Sequence, residues 1–552
     1  MALIYELENL INNIVTKNKL KGKVIVEKTK SFQNGHFSTN FALINAKVNQ
    51  LKPIELANTL IDLLKKETIF SKVEIAGQGF INLFLKEEYI FKKVFSEIES
   101  QDLKYGSSKS NNKKISIELV SANPTGYLHI GHARNGVIGD VIARIMRFAG
   151  YDVETEYYTN DFGNQINISA ATLFYFYKKA LNQEIAKPEE MYEGDIYIKA
   201  GEELKKEIGD KYANNIIKDN KIVNPEVHEF FKSKSINFFL KIIKEHLKLM
   251  DINIEKFISE KSMYDSGAIQ KTLDFLSKNN ASYEKDGAIW LKSTTFGDDK
   301  DRVLVKSDGS FAYILPDLAS QWQRFKRENA DEYIFVWGAD HHGYVPRMKA
   351  GLQLLGEDGS KFVFEIIQMV SLTKAGKEFK MSKRAGTAVW LIDLYEMVGK
   401  DGIRYMMASK NSNTHMNFDI DLITQKSLNN PIFYLQYATA RANQIIMKAE
   451  ENNIKPSKNV NLLTDKKEIE LILQIDNFQK IVRDAAVNKS PNLVCDYVQN
   501  ICKLFHSNYN SNKIIDTNNL ELSAQRLNLV YATYKLVRNV FNLLGLDVVN
   551  KM

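Results

Sequence analysis

Two histidines stand three residues apart in His129-Ile130-Gly131-His132, at the end of the stretch ISIELVSANPTGYLHIGH. Two imidazoles one helical turn apart can both donate to one phosphate, and Gly131 between them lets a ligand approach the backbone. Further along, Lys380-Met381-Ser382-Lys383 lies within KAGKEFKMSKRAG. That stretch is rich in lysine and glycine and has no apolar periodicity, so it reads as an exposed, solvated loop. Asn160, Asp161, Gly163, Asn164 and Gln165 form a polar cluster after an apolar run, a site position in open α/β sheets. Asp340, His341 and His342 have metal-ligand types, but side chains of consecutive residues diverge, and no protein-bound metal is expected. Cys495 and Cys502 lie seven apart on one predicted helix face and read as buried core residues.

These residues need elements to hold them. Ile115, Ile117 and Leu119 alternate with polar neighbours, which predicts a strand. Asn123, Pro124 and Gly126 break it into a tight loop. Val137, Ile138, Val141, Ile142, Ile145 and Met146 then mark one face of a helix ending near Gly150, and Val153 to Tyr158 reads as a second strand. The histidines therefore fall at a strand–loop–helix junction, where a doubly wound parallel sheet binds nucleotides. The chain divides into an α+β domain over 1–107, a Rossmann-type α/β domain over 108–372 with a helical insertion at about 171–289, a loop with connecting helices over 373–425, and an all-α domain over 426–552. FAYILPD reads as a proline-containing turn, and everything beyond about 390 reads as helical.

A chain of 552 residues is too long for one core. Its 44% hydrophobic and 26% charged residues are ordinary for a soluble globular protein. Net charge is +7, and residues 426–552 carry 16 Lys and Arg against 11 Asp and Glu. That permits a polyanionic partner without demanding one. No apolar run is long enough to span a membrane. The start, MALIYELENLINNIV, is an acidic amphipathic helix and not a signal peptide, which predicts a cytoplasmic protein.

The histidine pair and the Lys380–Lys383 motif, in that order and bracketing a split sheet, resemble the two signatures of class I aminoacyl-tRNA synthetases. The flanks SANPTG, YYTNDFGNQI, DRVLVKSDGSFAYILPDLA, VWGADHHGYVPR and NNPIFYLQYATAR are similar to bacterial arginyl-tRNA synthetases, and the resemblance covers essentially the whole chain. It departs in two places. The family usually carries Tyr-His where Ser320 and Gln321 stand here. Many members lack the second loop lysine and carry a lysine before the first motif; this chain has Lys383, with Thr125 and Gly126 in the other place.

The resemblance implies activation of L-arginine with ATP and Mg²⁺, then transfer to the terminal adenosine of tRNA-Arg. His129, Gly131 and His132 would meet the nucleotide, and Lys380, Met381, Ser382 and Lys383 would close over its phosphates. Glu118, Tyr313 and Asp317 would hold the guanidinium, for which carboxylates are the natural partners. Asn123 would hold the amino end, with Ser121 and His341 as further arginine contacts. Phe80 and Asn82 match positions that meet the tRNA D-loop. Gln436, Tyr437 and Arg441 would form one helical face toward the anticodon. The resemblance also implies a monomer.

Overall fold

A five-stranded parallel sheet lies at the centre of the computed structural model, which describes residues 2–379 and 389–552. Its strands are β1 (Lys114–Glu118), β2 (Asp152–Thr159), β3 (Lys256–Ser259), β4 (Glu332–Gly338) and β5 (Phe362–Ile367). They are ordered β5-β4-β1-β2-β3. The chain winds outward from β1 through β2 and β3, then returns to place β4 on the other side of β1. The reversal leaves a crevice at the carboxyl ends of β1 and β4, the usual ligand position in such sheets. A parallel sheet is covered on both faces. Accordingly Ile115 to Glu118 are all buried, and the two polar members, Ser116 and Glu118, are hydrogen-bonded.

Helix α1 (Ile130–Phe148) links β1 to β2. It is buried on nearly every side, because the sheet lies under it and the helix α3 (Leu391–Ala408) and the last helix of the chain pack over it. The insertion is built on helices Asn164–Ala180, Asp195–Ile208 and Pro225–Leu249 around an aromatic core of Phe174, Tyr177, Tyr197, Phe231 and Phe239.

Four local expectations change. First, β3 arises inside the stretch 171–289 that reads as mostly helical. Four residues are too short a run to outweigh the helical periodicity around them. Second, Ala288–Leu291 and Arg302–Val305 join Ser282–Lys285 in a separate antiparallel sheet. Third, FEIIQMVSL, an apolar run that reads as one strand by its own pattern, is two. Val370–Lys374 leaves the main sheet and pairs in parallel with Met416–Asp419, a strand in the region read as helical. Fourth, Tyr313 to Asp317 is the start of the helix α2 (Ile314–Glu328) and not a turn. Pro316 sits in its first turn, where a missing N–H costs nothing.

The N-terminal domain is a four-stranded antiparallel sheet, ordered Val26–Lys28, Phe37–Thr39, Phe80–Leu85, Phe70–Ala76. Helix Glu87–Gln101, unremarked in the sequence, follows it and buries Ile90, Phe91, Val94 and Ile98. The C-terminal domain is five helices, Pro431–Glu451, Lys466–Asp476, Phe478–Asn488, Asn492–Ser511 and Leu520–Leu544. Cys495 and Cys502 are in its core, and burial pushes both thiols up. The two terminal domains meet directly. Both Asp476 carboxylate oxygens accept the Leu3 amide at 3.0 Å, and Arg538 reaches Asp102 at 2.7 Å.

Candidate active site

His129 is the residue before the first turn of α1, and its Nδ1 accepts the amides of Gly131 at 3.0 Å and His132 at 3.3 Å. His132 Nδ1 accepts the His129 amide at 3.3 Å in return. The rings stack with centroids 3.6 Å apart. A side chain on Gly131 would put its Cβ 2.9 Å from the His129 ring, so glycine is required there. With both Nδ1 atoms accepting, a neutral ring carries its proton on Nε2. Burial pushes His132 down to about 3, helped by His129, and lowers His129 against the pull of Asp340. Both are therefore neutral Nε2–H donors at neutral pH. The amides of Gly131 and His132 are engaged by His129.

The segment after the lysine motif is tied to this corner. Ile130 donates to the Val389 carbonyl at 3.2 Å, Leu391 donates to the Leu128 carbonyl at 2.7 Å, and Trp390 pairs with His129. Lys380, Met381, Ser382 and Lys383 lie outside the described residues.

Carboxylates from four places come within reach of one another. Glu118 ends β1, Asp161 follows β2, Glu260 follows β3 and Asp317 lies in the first turn of α2. Asp161 is occupied in positioning, accepting from Ser259 at 2.6 Å and the Lys261 amide at 2.8 Å. Asp317 accepts from the Tyr344 hydroxyl at 2.6 Å, yet burial first and Glu118 second push it up to about 7. Burial, then Asp317 and Asp161, push Glu260 up to about 8. Among the described residues no cation pairs with Asp317 or Glu260. Tyr313 is 71% exposed as a residue, but its hydroxyl end is pushed up to about 12, first by local burial and then by Asp317 and Glu260.

Glu118 is differently placed. Ser121 donates to its Oε1 at 3.1 Å, while Gln321 donates to its Oε2 at 2.6 Å and Arg324 stands 3.5 Å away. Ser121 also accepts the Tyr158 amide at 3.1 Å, so its hydroxyl braces Glu118. Asn123 accepts from Asn160 at 2.6 Å and donates to Gln165, which brings the expected polar cluster to the loop after β1. His341 is exposed and lies 3.5 Å from Asp340.

Two pocket residues escape the sequence reading. Glu260 sits at the end of β3, whose brevity hid it. The Tyr158 hydroxyl is buried with no hydrogen-bond partner among the described residues, within the field of Glu260, Asp317 and Glu118. An acid closing FISE and a tyrosine pair closing β2 were the available signals. Among the described residues no group of three His, Cys, Asp or Glu is placed to hold a metal.

The residues expected to face RNA divide. Phe80 is exposed at the start of its strand, while Asn82, two residues on and on the same face, is 6% exposed. Gln436, Tyr437 and Arg441 do not share one face. Gln436 donates to Asp401 on α3 at 2.9 Å. Arg441 turns instead to His506 at 3.0 Å and lies between the rings of Tyr437 and Tyr509, 4.5 and 4.6 Å from their centroids. Tyr509 is exposed, whereas Phe505 on the same helix is buried.

Three family descriptions match the chain: tRNA synthetases class I (R), catalytic domain, over 94–447; DALR anticodon binding domain over 435–552; and Arginyl tRNA synthetase N terminal domain over 2–85. A curated arginine–tRNA ligase of Mesoplasma florum is 47% identical over 543 residues, 98% of each chain. Another, from Shouchella clausii, is 42% identical over 533 residues, 96% of this chain and 94% of that one. The solved arginyl-tRNA synthetase of Thermus thermophilus shares the fold, with a TM-score of 0.76 over 100% of both chains at 19% identity.

Proposed function

The chain belongs to the arginyl-tRNA synthetase family, and from that premise we propose that the pocket of Asp317, Glu260, Glu118 and Tyr313 takes the guanidinium of arginine. The enzyme is an arginine–tRNA ligase: it uses ATP to join arginine to tRNA. One observation carries the assignment of the pocket. Glu260 is buried and Asp317 half-buried, and among the described residues neither pairs with a cation, an arrangement that costs free energy until a cation enters.

Asn123, anchored by Asn160 and Gln165, would orient the amino end of arginine beside His129 and His132, with His341 at the outer edge. The two Nε2–H groups would donate to the ATP α-phosphate as charge builds during attack by the arginine carboxylate, with no covalent enzyme intermediate. Gly131 and the motif Lys380, Met381, Ser382 and Lys383 complete the nucleotide site in this reading, with the two lysines over the outer phosphates. Mg²⁺ enters with ATP. Its chemistry is charge neutralisation on the phosphates.

For tRNA-Arg, Phe80 would stack on a D-loop base, with Asn82 reaching its edge once neighbouring side chains part. The Tyr437–Arg441–Tyr509 stack would meet the anticodon, and Gln436 would connect that helix to α3. We take the enzyme to be a cytoplasmic monomer. No described helix is long and apolar enough to cross a membrane, and sedimentation gives the oligomeric state.

The test is attachment of labelled arginine to total tRNA with ATP, against the other amino acids. Arginine alone should be attached. Attachment without ATP, or of another amino acid, would overturn the assignment.

A further inference from the structure

We propose that Gln321 is a positioning residue for arginine recognition: it holds the Glu118 carboxylate off the enzyme's own guanidinium, Arg324, and so keeps it available to the substrate's. This rests on the reading of the pocket as the arginine site.

Arg324 is buried and cannot shift. Its Nε donates to Ser116 at 2.9 Å and lies 3.3 Å from Glu156, one terminal nitrogen donates to the Ile334 carbonyl at 3.3 Å, and the guanidinium lies 5.0 Å from the Phe335 ring centroid. The other terminal nitrogen stands 3.5 Å from Glu118 Oε2. A charge-assisted bond between such groups closes to about 2.7–2.9 Å. The gap is small enough for a side-chain rotation of Glu118 to close it.

Gln321 lies alongside this stretched ion pair and contacts both members. Its Nε2 donates to Glu118 Oε2 at 2.6 Å, and its Oε1 accepts from Arg324 at 3.2 Å. The orientation of the amide follows from its neighbours, since a carboxylate only accepts and a guanidinium only donates. Gln321 thus bonds to both groups, and the direct Glu118–Arg324 pair stays long at 3.5 Å. Oε2 gets a close donor that carries no net charge, and Oε1 keeps Ser121 alone.

The test measures KM for arginine and KM for ATP separately, in the full chain with tRNA. The variants are Gln321→Ala, Gln321→Met, Gln321→His and Glu118→Gln. Alanine removes both contacts and methionine keeps the bulk without the hydrogen bonds. Each should raise the arginine KM about tenfold or more, with the ATP KM and Tm near wild type. Histidine can donate through one nitrogen and accept through the other, so Gln321→His should recover most of the loss. An unchanged arginine KM in the alanine and methionine variants overturns the proposal. So does an equal rise in both KM values, or a histidine variant no better than methionine. Glu118→Gln separates the two readings. If it also leaves the arginine KM unchanged, the pocket assignment falls; if it raises that KM while Gln321→Met does not, only the role of Gln321 falls.

Discussion

Asp317 and Glu260 are both pushed up toward neutrality, first by burial, then by Glu118 in the case of Asp317 and by Asp317 and Asp161 in the case of Glu260. A carboxyl group that holds a proton must release it to pair with a guanidinium. Arginine binding in the pocket as proposed would expel protons, and linkage fixes the sign: binding would tighten as pH rises. We expect the arginine KM to fall about tenfold between pH 6 and 8 while the ATP KM stays level. The thermal shift given by arginine should be larger at pH 8 than at pH 6. A flat arginine KM across that range would show that the pair is already ionised in the free enzyme. Asp317→Asn removes one of the two titrating charges, while its amide oxygen can still accept from Tyr344. It should weaken arginine by roughly 2–5 kcal/mol and flatten the pH profile, without moving the ATP KM.

At the scale of elements, the start of α1 is where sequence spacing becomes chemistry. The mutual bonds of His129 and His132 cap the helix and aim two Nε2–H groups outward. Asparagine at 132 can still accept the His129 amide, because its Oδ1 falls near the place of Nδ1, but it has nothing in the place of Nε2. Glutamine reaches that place. His132→Asn should slow activation about 10²–10³-fold with Tm nearly unchanged, and His132→Gln should retain more of the rate. Pyrophosphate exchange in the presence of tRNA measures both. Equal rates for the two variants would assign His132 to capping alone. The loop lysines belong to the same scale. Lys383→Ala should slow activation on the order of a hundredfold and leave the arginine KM in place; a collapse of arginine binding would remove the lysine from the phosphates.

Across the whole molecule, Arg404 fastens distant parts of the chain. It is fully buried on α3 and donates to Asp140 of α1 at 2.5 Å, to the Met250 carbonyl at 2.7 Å and to the Leu544 carbonyl at 2.7 Å. The helix that starts with the histidines, the end of the insertion and the last helix of the anticodon-side domain thus share one guanidinium. Cutting the chain near Leu428 would strip that anchor and the Asp476–Leu3 contact, so truncation tests folding more than coupling. Gln436, which joins the Pro431–Glu451 helix to Asp401, is the milder probe. If tRNA binding biases the catalytic half through this contact, pyrophosphate exchange should require arginine and cognate tRNA together, and Gln436→Leu should reduce it by about 3- to 30-fold. Robust exchange with arginine alone would remove the coupling and leave the enzyme assignment standing.

The sequence by itself determined the junction of β1 and α1, the two signature motifs and the helical C-terminal half, because each rests on local periodicity or on residues close together in the chain. Only the tertiary structure decided the pocket. Glu118, Glu260 and Asp317 come from segments up to 199 positions apart, and strand order alone brings them together. β3 and Met416–Asp419 stayed hidden because four-residue strands draw their stability from neighbours supplied by the rest of the chain, not from their own pattern. Burial did the same for charge: an aspartate, a glutamate and a glutamine look ordinary in a sequence, and acquire shifted protonation or a fixed orientation only when water is removed and their neighbours are set around them.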